Sequence, residues 1–248
     1  MNKPVLLIRG TGNETDATAL SELGIASLID PYLEIAVSDD KTDAKNMFNF
    51  LCDAEGPIWL IATSTNAIKY WAEIVGADEI TAALSVQADL RYAAIGEATA
   101  AALIALGARQ VLTPQSANSD SLITALIEYP ASTAIIPGGN LAMAQLPSAL
   151  RSSGWILKTG VVYTTSPIKA EPRSVSLLQN GEIAAVLIRS PSAARSLLAR
   201  VPRPNIPIIC AGSTTAKTVE ALGIRVAAVA EDPTPGAVAA TIVSVLTQ

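Results

Sequence analysis

This chain repeats itself, and the repeat restricts its fold more than any other feature. Ala94-Ile95-Gly96-Glu97-Ala98-Thr99-Ala100, followed by Leu106-Gly107, returns as Ala211-Gly212-Ser213-Thr214-Thr215-Ala216, followed by Leu222-Gly223. Gly96, Thr99, Ala100, Leu106 and Gly107 match Gly212, Thr215, Ala216, Leu222 and Gly223 at one constant offset. Upstream of each, Trp59-Leu60-Ile61-Ala62-Thr63-Ser64-Thr65-Asn66-Ala67 is similar to Val186-Leu187-Ile188-Arg189-Ser190-Pro191-Ser192-Ala193. A fainter third pair sets Val5-Leu6-Leu7-Ile8-Arg9-Gly10, with Leu23-Gly24, beside Ala134-Ile135-Ile136-Pro137-Gly138-Gly139, with Ser153-Gly154. In every copy a short apolar strand ends in a Gly/Ser/Thr cluster and an Ala/Leu-rich helix follows. That helix stops at Leu-Gly or Ser-Gly, where glycine supplies a left-handed cap. Strands alternating with helices predict parallel sheets covered by helices on both faces, and the duplication predicts two similar α/β domains.

Two β-rich stretches stand outside these units, Pro31-Tyr32-Leu33-Glu34-Ile35 and Val161-Val162-Tyr163-Thr164-Thr165. They are candidates for crossings between the domains. If they are, the first βαβ piece joins the C-terminal segment and one domain is discontinuous; the residues alone leave that pairing open.

Composition removes several function classes. Histidine is absent, which excludes Ser-His and Cys-His nucleophiles and the common zinc sites. Cys52 and Cys210 are far apart and lack nearby partner ligands, so neither a disulfide nor a metal site is expected. No apolar run reaches the ~18–20 residues of a membrane span, and no leader is visible before the Val5–Ile8 run; the expectation is a cytoplasmic protein without membrane contact. Net charge is −5 but uneven: residues 1–150 hold 7 basic and 17 acidic side chains, residues 151–248 hold 10 and 5. The whole is too acidic for a nucleic-acid binder, while a basic second half suits an anionic small molecule and equally suits plain solvated surface charge.

In open parallel sheets ligands bind beyond the carboxyl ends of the strands. Six such ends are legible: Arg9-Gly10-Thr11-Gly12, Thr63-Ser64-Thr65-Asn66, Gly96-Glu97-Ala98-Thr99, Gly138-Gly139-Asn140, Ser190-Pro191-Ser192 and Gly212-Ser213-Thr214-Thr215. Helix N-termini there offer backbone N–H groups to carboxylate or phosphate, although the same residues cap helices without any ligand. Gly10-Thr11-Gly12 with Asp30 partly matches a dinucleotide fingerprint but has Thr15 where the third glycine belongs. A nucleotide-dependent enzyme would need that motif complete, and an exported bilobal binding protein would need a leader. Tyr163, on a strand beside a domain crossing, is more readily structural than catalytic on these grounds.

Taken in order, the motifs resemble the uroporphyrinogen-III synthase family over essentially the whole chain. They are Leu7-Ile8-Arg9, Thr63-Ser64-Thr65-Asn66-Ala67, Ile95 to Ala100, Gly139-Asn140, Val162-Tyr163, Ser190 to Ala193, Gly212 to Ala216 and Glu231 to Thr234. The resemblance implies two flavodoxin-like domains joined by a two-stranded linker, one discontinuous: residues 1–33 plus 169–248, and 38–164, with linkers 34–37 and 165–168. It implies a lyase that closes hydroxymethylbilane in a cleft between the domains, with loss of water and inversion of ring D, to give uroporphyrinogen III. No cofactor and no metal are expected, and the chain is expected to be a monomer with transient contact to the preceding deaminase. On the matching motifs, Tyr163 is the expected proton donor. Arg9, Ser64, Asn66, Gly96, Thr99, Gly138, Ser190, Ser192, Gly212, Thr214 and Thr215 are the expected substrate-binding residues.

Overall fold

The structure, a computed structural model, describes residues 3–247. The chain begins β1 (Val5–Leu7), α1 (Glu14–Glu22), β2 (Ser27–Ile29) and β3 (Leu33–Val37). It continues α2 (Thr42–Asp53), β4 (Ile58–Ala62), α3 (Thr65–Val75), α4 (Ala77–Val86), β5 (Leu90–Ala94), α5 (Glu97–Ala105), β6 (Val111–Leu112) and α6 (Ser119–Ile127). Then come β7 (Thr133–Gly139), α7 (Gln145–Ser152), β8 (Ile156–Pro167), α8 (Ser174–Gln179), β9 (Ala185–Ile188) and α9 (Pro191–Arg200). The last elements are β10 (Ile208–Cys210), α10 (Ser213–Ala221), β11 (Ala228–Val229) and α11 (Pro235–Leu246).

Two compact units result. Unit 1 is Met1–Ile35 with Ser166–Gln248, and unit 2 is Ala36–Thr165. Unit 1 holds a sheet of order β11-β10-β9-β1-β2. The other sheet runs β6-β5-β4-β7-β8, with β3 outside β8. Written this way, repeat partners occupy the same places: β10 and β5, β9 and β4, β1 and β7. The duplication is linear in sequence but exchanged in space. Each sheet takes a leading β-α-β from one copy and its other strands from the other copy, three in unit 1 and four, counting β3, in the second sheet. Pairing among β1, β2, β9, β10 and β11 and among β4 to β8 is parallel, for example Leu6 beside both Leu28 and Val186, and Leu60 beside both Tyr92 and Ile135.

The sheets are buried on both faces, as parallel strands require. Every residue of β1, β4, β9 and β10 is buried. In unit 1, Val5, Leu7 and Ile209 pack with Leu20 of α1 and Val238, Ala239 and Ile242 of α11. Leu6, Val186 and Ile208 pack with Val175 of α8, Leu197 of α9 and Val219 of α10. In unit 2, Trp59, Ile61 and Ile136 pack with Leu122 and Leu126 of α6 and Leu146 and Leu150 of α7. Helix α3 is fixed to α2 by the Trp71 indole N–H, which donates to the Ala44 carbonyl at 2.9 Å.

The Leu-Gly and Ser-Gly stops end helices as expected. After α5, Gly107 sits at φ +104°, its N–H donates to Ile104, and Ala108 N–H reaches back to Leu103. After α10, Gly223 at φ +79° and Ile224 do the same toward Glu220 and Val219. Only glycine adopts such a φ without steric cost. The strand after Gly154 differs from its expected extent. Val161–Thr165 is not a separate crossing strand but the end of β8, a single strand of 12 residues starting at Ile156. In the first copy Pro31, which has no N–H for a ladder, separates the equivalent stretch into β2 and β3.

Candidate functional site

Each sheet reverses its strand order between two central strands: β1 and β9 in unit 1, β7 and β4 in unit 2. Such switch points are where open α/β sheets hold ligands.

At the unit 1 switch the chain leaves β1 through Arg9. Its backbone N–H donates to Asn13 Oδ1 at 3.1 Å, and Asn13 Nδ2 donates back to the Arg9 carbonyl at 2.9 Å. Buried Asn13 thereby fixes the turn into α1. Asp16, 2% exposed, accepts a bidentate pair from Arg189 at the end of β9, Nε at 2.7 Å and Nη2 at 2.5 Å. The third Arg189 donor, Nη1, reaches the Pro233 carbonyl at 2.7 Å. Both Asp16 oxygens are therefore occupied. The Arg9 guanidinium lies over Gly12 and has one long hydrogen bond, 3.4 Å to the Gly12 carbonyl. Burial lowers its pKa first, and the neighbouring Arg189 charge lowers it further, with Asp16 and Glu14 opposing. A half-buried cation pressed by a second cation favours a bound anion.

Ser190 caps α9, accepting from Ala193 N–H at 3.2 Å, and its Oγ lies 3.1 Å from Ser192 Oγ. Helix α10 begins differently. Gly212 is its N-cap, so no side chain covers the first-turn amides, and Ser213 and Thr214 are exposed. Thr215 is 4% exposed and turns into the unit.

Unit 2 repeats this scheme with other side chains. Ser64 caps α3, accepting from Asn66 N–H at 3.2 Å. Gly96 starts α5 without a side-chain cap, and Glu97 and Ala98 are exposed. Thr99 is 5% exposed, and its N–H is taken up by the Gly96 carbonyl at 3.1 Å. At the end of β7 the register slips: Gly138 lies beside Val161 but Gly139 beside Tyr163. Such a bulge re-aims the side chain that follows it. The Tyr163 ring lies on Gly139, where an added Cβ would fall 2.5 Å from Tyr163 Cζ. It also stacks on Tyr70 of α3, with centroids 5.7 Å apart and planes at 28°. Asn140 clamps the end of β8: its N–H donates to the Tyr163 carbonyl at 3.1 Å, and its Oδ1 accepts from Thr165 N–H at 2.8 Å.

The expected residues thus fall into two groups by unit. Arg9, Ser190, Ser192, Gly212, Thr214 and Thr215 lie at the carboxyl ends of adjacent β1, β9 and β10. Ser64, Asn66, Gly96, Thr99, Gly138 and Tyr163 lie at those of β4, β5, β7 and β8. Sequence reading missed Asn13, Asp16, Arg189 and Tyr70. Arg189 stood at a strand end and Asn13 just before a helix, so both had a positional signal; Asp16 and Tyr70 had none beyond helical spacing. Asp30, the acidic residue of the partial dinucleotide fingerprint, accepts from Ser174 N–H at 2.8 Å at the start of α8.

The charge asymmetry of the sequence halves does not survive folding. Unit 1 holds 10 basic and 10 acidic side chains, and unit 2 holds 7 and 12. Any attraction of unit 1 for an anion therefore has to come from local groups such as Arg9 and the helix N-termini, not from net charge. Among the described residues no three His, Cys, Asp or Glu side chains cluster as a metal site would require, and no helix is long and apolar enough to cross a membrane.

The model of a protein family described as uroporphyrinogen-III synthase HemD matches residues 14–240. Among solved structures the chain is similar to uroporphyrinogen-III synthetase from Helicobacter pylori 26695, at 18% identity and TM-score 0.65, covering 98% of this chain and 99% of that one. A mutant uroporphyrinogen III synthase from the extremely thermophilic bacterium Thermus thermophilus gives 16% identity and TM-score 0.64, with coverage of 98% and 99%. No curated protein matches the sequence. The structural likenesses support the two-unit parallel α/β fold.

Proposed function

The chain belongs to the uroporphyrinogen-III synthase family, and from that premise we propose how its own residues carry out the synthesis. The reaction closes hydroxymethylbilane, a linear tetrapyrrole, with loss of water and inversion of ring D. Departure of hydroxide from a pyrrolic hydroxymethyl group is assisted by electron donation from the pyrrole nitrogen. The azafulvene that forms is attacked by ring D at its substituted carbon, and the resulting spiro intermediate rearranges to uroporphyrinogen III. The chemistry is facile, so the enzyme's main contribution is to hold one folded geometry. This is compatible with a chain that has no histidine.

Carboxylates of the substrate are received by the Arg9 guanidinium and by the uncapped first turns of α10, from Gly212 through Thr214, and of α5, at Gly96. Ser64, Asn66, Ser190 and Ser192 order the neighbouring turns, and Gly138 keeps the end of β7 open to close approach. Thr99 and Thr215 act from inside, packing their helices. Tyr163 donates its phenolic proton to the departing hydroxide. On the same reading the chain works as a monomer in the cytoplasm and takes its short-lived substrate from the deaminase that makes it; sedimentation as a stable dimer would contradict the first point.

Family membership across residues 14–240 carries this reading. The test generates hydroxymethylbilane in situ, adds this protein without metal or nucleotide, and resolves the uroporphyrin isomers after oxidation. Isomer III should dominate. Isomer I alone, the product of spontaneous closure, from well-folded protein would overturn it. Tyr163→Phe should lower kcat by about tenfold without abolishing isomer III, less than the ~10²–10⁴ a general acid commonly supplies, because the leaving group departs readily.

A further inference from the structure

We infer that Tyr70 and Gly139 form a seat that aims the Tyr163 phenol, making both positioning residues for the reaction; the inference rests on the reading of Tyr163 as proton donor. Three observations converge on one ring. First, the bulge between Gly138 and Gly139 places Tyr163 rather than Val162 beside Gly139. Second, the space where a Gly139 side chain would stand is filled by the phenol: an added Cβ would lie 2.5 Å from Cζ, 2.6 Å from Cε2 and 2.9 Å from Oη. Third, the ring stacks on Tyr70, itself 7% exposed. Tyr70 is held from behind, since the next residue, Trp71, is pinned to α2 through its indole N–H.

A proton donor must lie within hydrogen-bond reach of the departing oxygen, so a ring free to swing would lose most of its effect. Close contact with Gly139 at its hydroxyl end and stacking on a buried aromatic limit how far the phenol can swing. Offset stacking of this kind is a specific attraction between rings. The constraint falls on the side chain, not the backbone, because the nearest atoms that a methyl group on Gly139 would meet all belong to the Tyr163 ring and its hydroxyl.

The experiment uses the full chain. Gly139→Ala should displace the ring and lower kcat about tenfold, to the level of Tyr163→Phe, with KM within about twofold. Tyr70→Leu should do the same, while Tyr70→Phe, which keeps the ring, should restore most of the rate. Neither Gly139→Ala nor Tyr70→Leu should cause further loss when combined with Tyr163→Phe, which separates aiming from a general loss of structure. Position is read independently by incorporating 3-fluorotyrosine and assigning the signals of the five tyrosines with Tyr→Phe variants. The Tyr163 signal should shift or broaden in Gly139→Ala and Tyr70→Leu. An unmoved Tyr163 signal overturns the seat whatever the rates, as does Tyr70→Phe being as slow as Tyr70→Leu. If the signal moves while Tyr163→Phe turns over at the full rate, the seat stands and the donor role of Tyr163 is what fails.

Discussion

At the scale of single residues, burial decides which polar groups are available for chemistry. Thr99 and Thr215 occupy matching positions in the two repeats, and both are almost fully buried, facing their own cores. Arg9 and Arg189 stand at neighbouring strand ends; Arg189 is hydrogen-bonded to a carboxylate and Arg9 to a backbone carbonyl, so Arg9 is the one proposed to receive an anion. Cys210, fully buried in β10, shows the same effect on a titrating group. Burial pushes its thiol pKa up from 9.0 to about 11, with the Glu220 charge adding to the shift. The folded state therefore holds this proton where the unfolded chain releases it. Its contribution to stability is fully present below pH 9 and is lost as pH rises toward 11. Urea titrations at pH 7 to 11 should show wild type losing more stability across that window than Cys210→Ala. Parallel curves for the two proteins would contradict the assignment.

At the scale of elements, the helices that start at the strand ends are of two kinds. Helices α3 and α9, next to the switch points, carry serine caps that satisfy a backbone donor. Helices α5 and α10, one strand further out, begin at glycine and present bare first turns. Serine caps stabilise; bare amides are free for carboxylates. Ser190→Ala should thus cost about 1 kcal/mol of stability and change KM by less than about threefold, as measured by denaturant unfolding and steady-state kinetics. A roughly tenfold rise in KM at unchanged stability would instead make the hydroxyl a direct ligand group.

For the whole molecule, the exchanged repeat governs how the units can fold. Unit 2 is continuous from Ala36 to Thr165 and owns a core that includes Trp59, Leu122, Leu126 and Leu150. Unit 1 places β1 between β2 and β9, so its centre joins residues from opposite ends of the chain. A fragment of residues 36–165 should therefore unfold cooperatively in urea, with helical and strand circular dichroism. A fragment of residues 1–35 should remain unstructured, because apart from α1 the groups that bury the apolar faces of β1 and β2 lie in β9, β10 and helices α8 to α11. A non-cooperative 36–165 fragment would show that unit 2 depends on unit 1.

Much of the local structure was legible in the residues. Val5–Ile8, Trp59–Ala62 and Val186–Ile188 read as buried strands, and Leu106-Gly107 and Leu222-Gly223 read as helix ends, because hydrophobic period and glycine's access to positive φ act over a few residues. The strand-end clusters were legible for the same reason: a cap and the residues it caps are sequence neighbours. Tertiary structure alone decided which strands share a sheet, since the repeat in sequence is equally compatible with two contiguous domains. It also decided that Asp16 meets Arg189, 173 positions away, and that Tyr70 and Gly139 both meet the Tyr163 ring. Those contacts depend on how strands from distant parts of the chain are ordered. Strand order follows from burying both faces of each sheet at once, a condition that no short window of sequence contains.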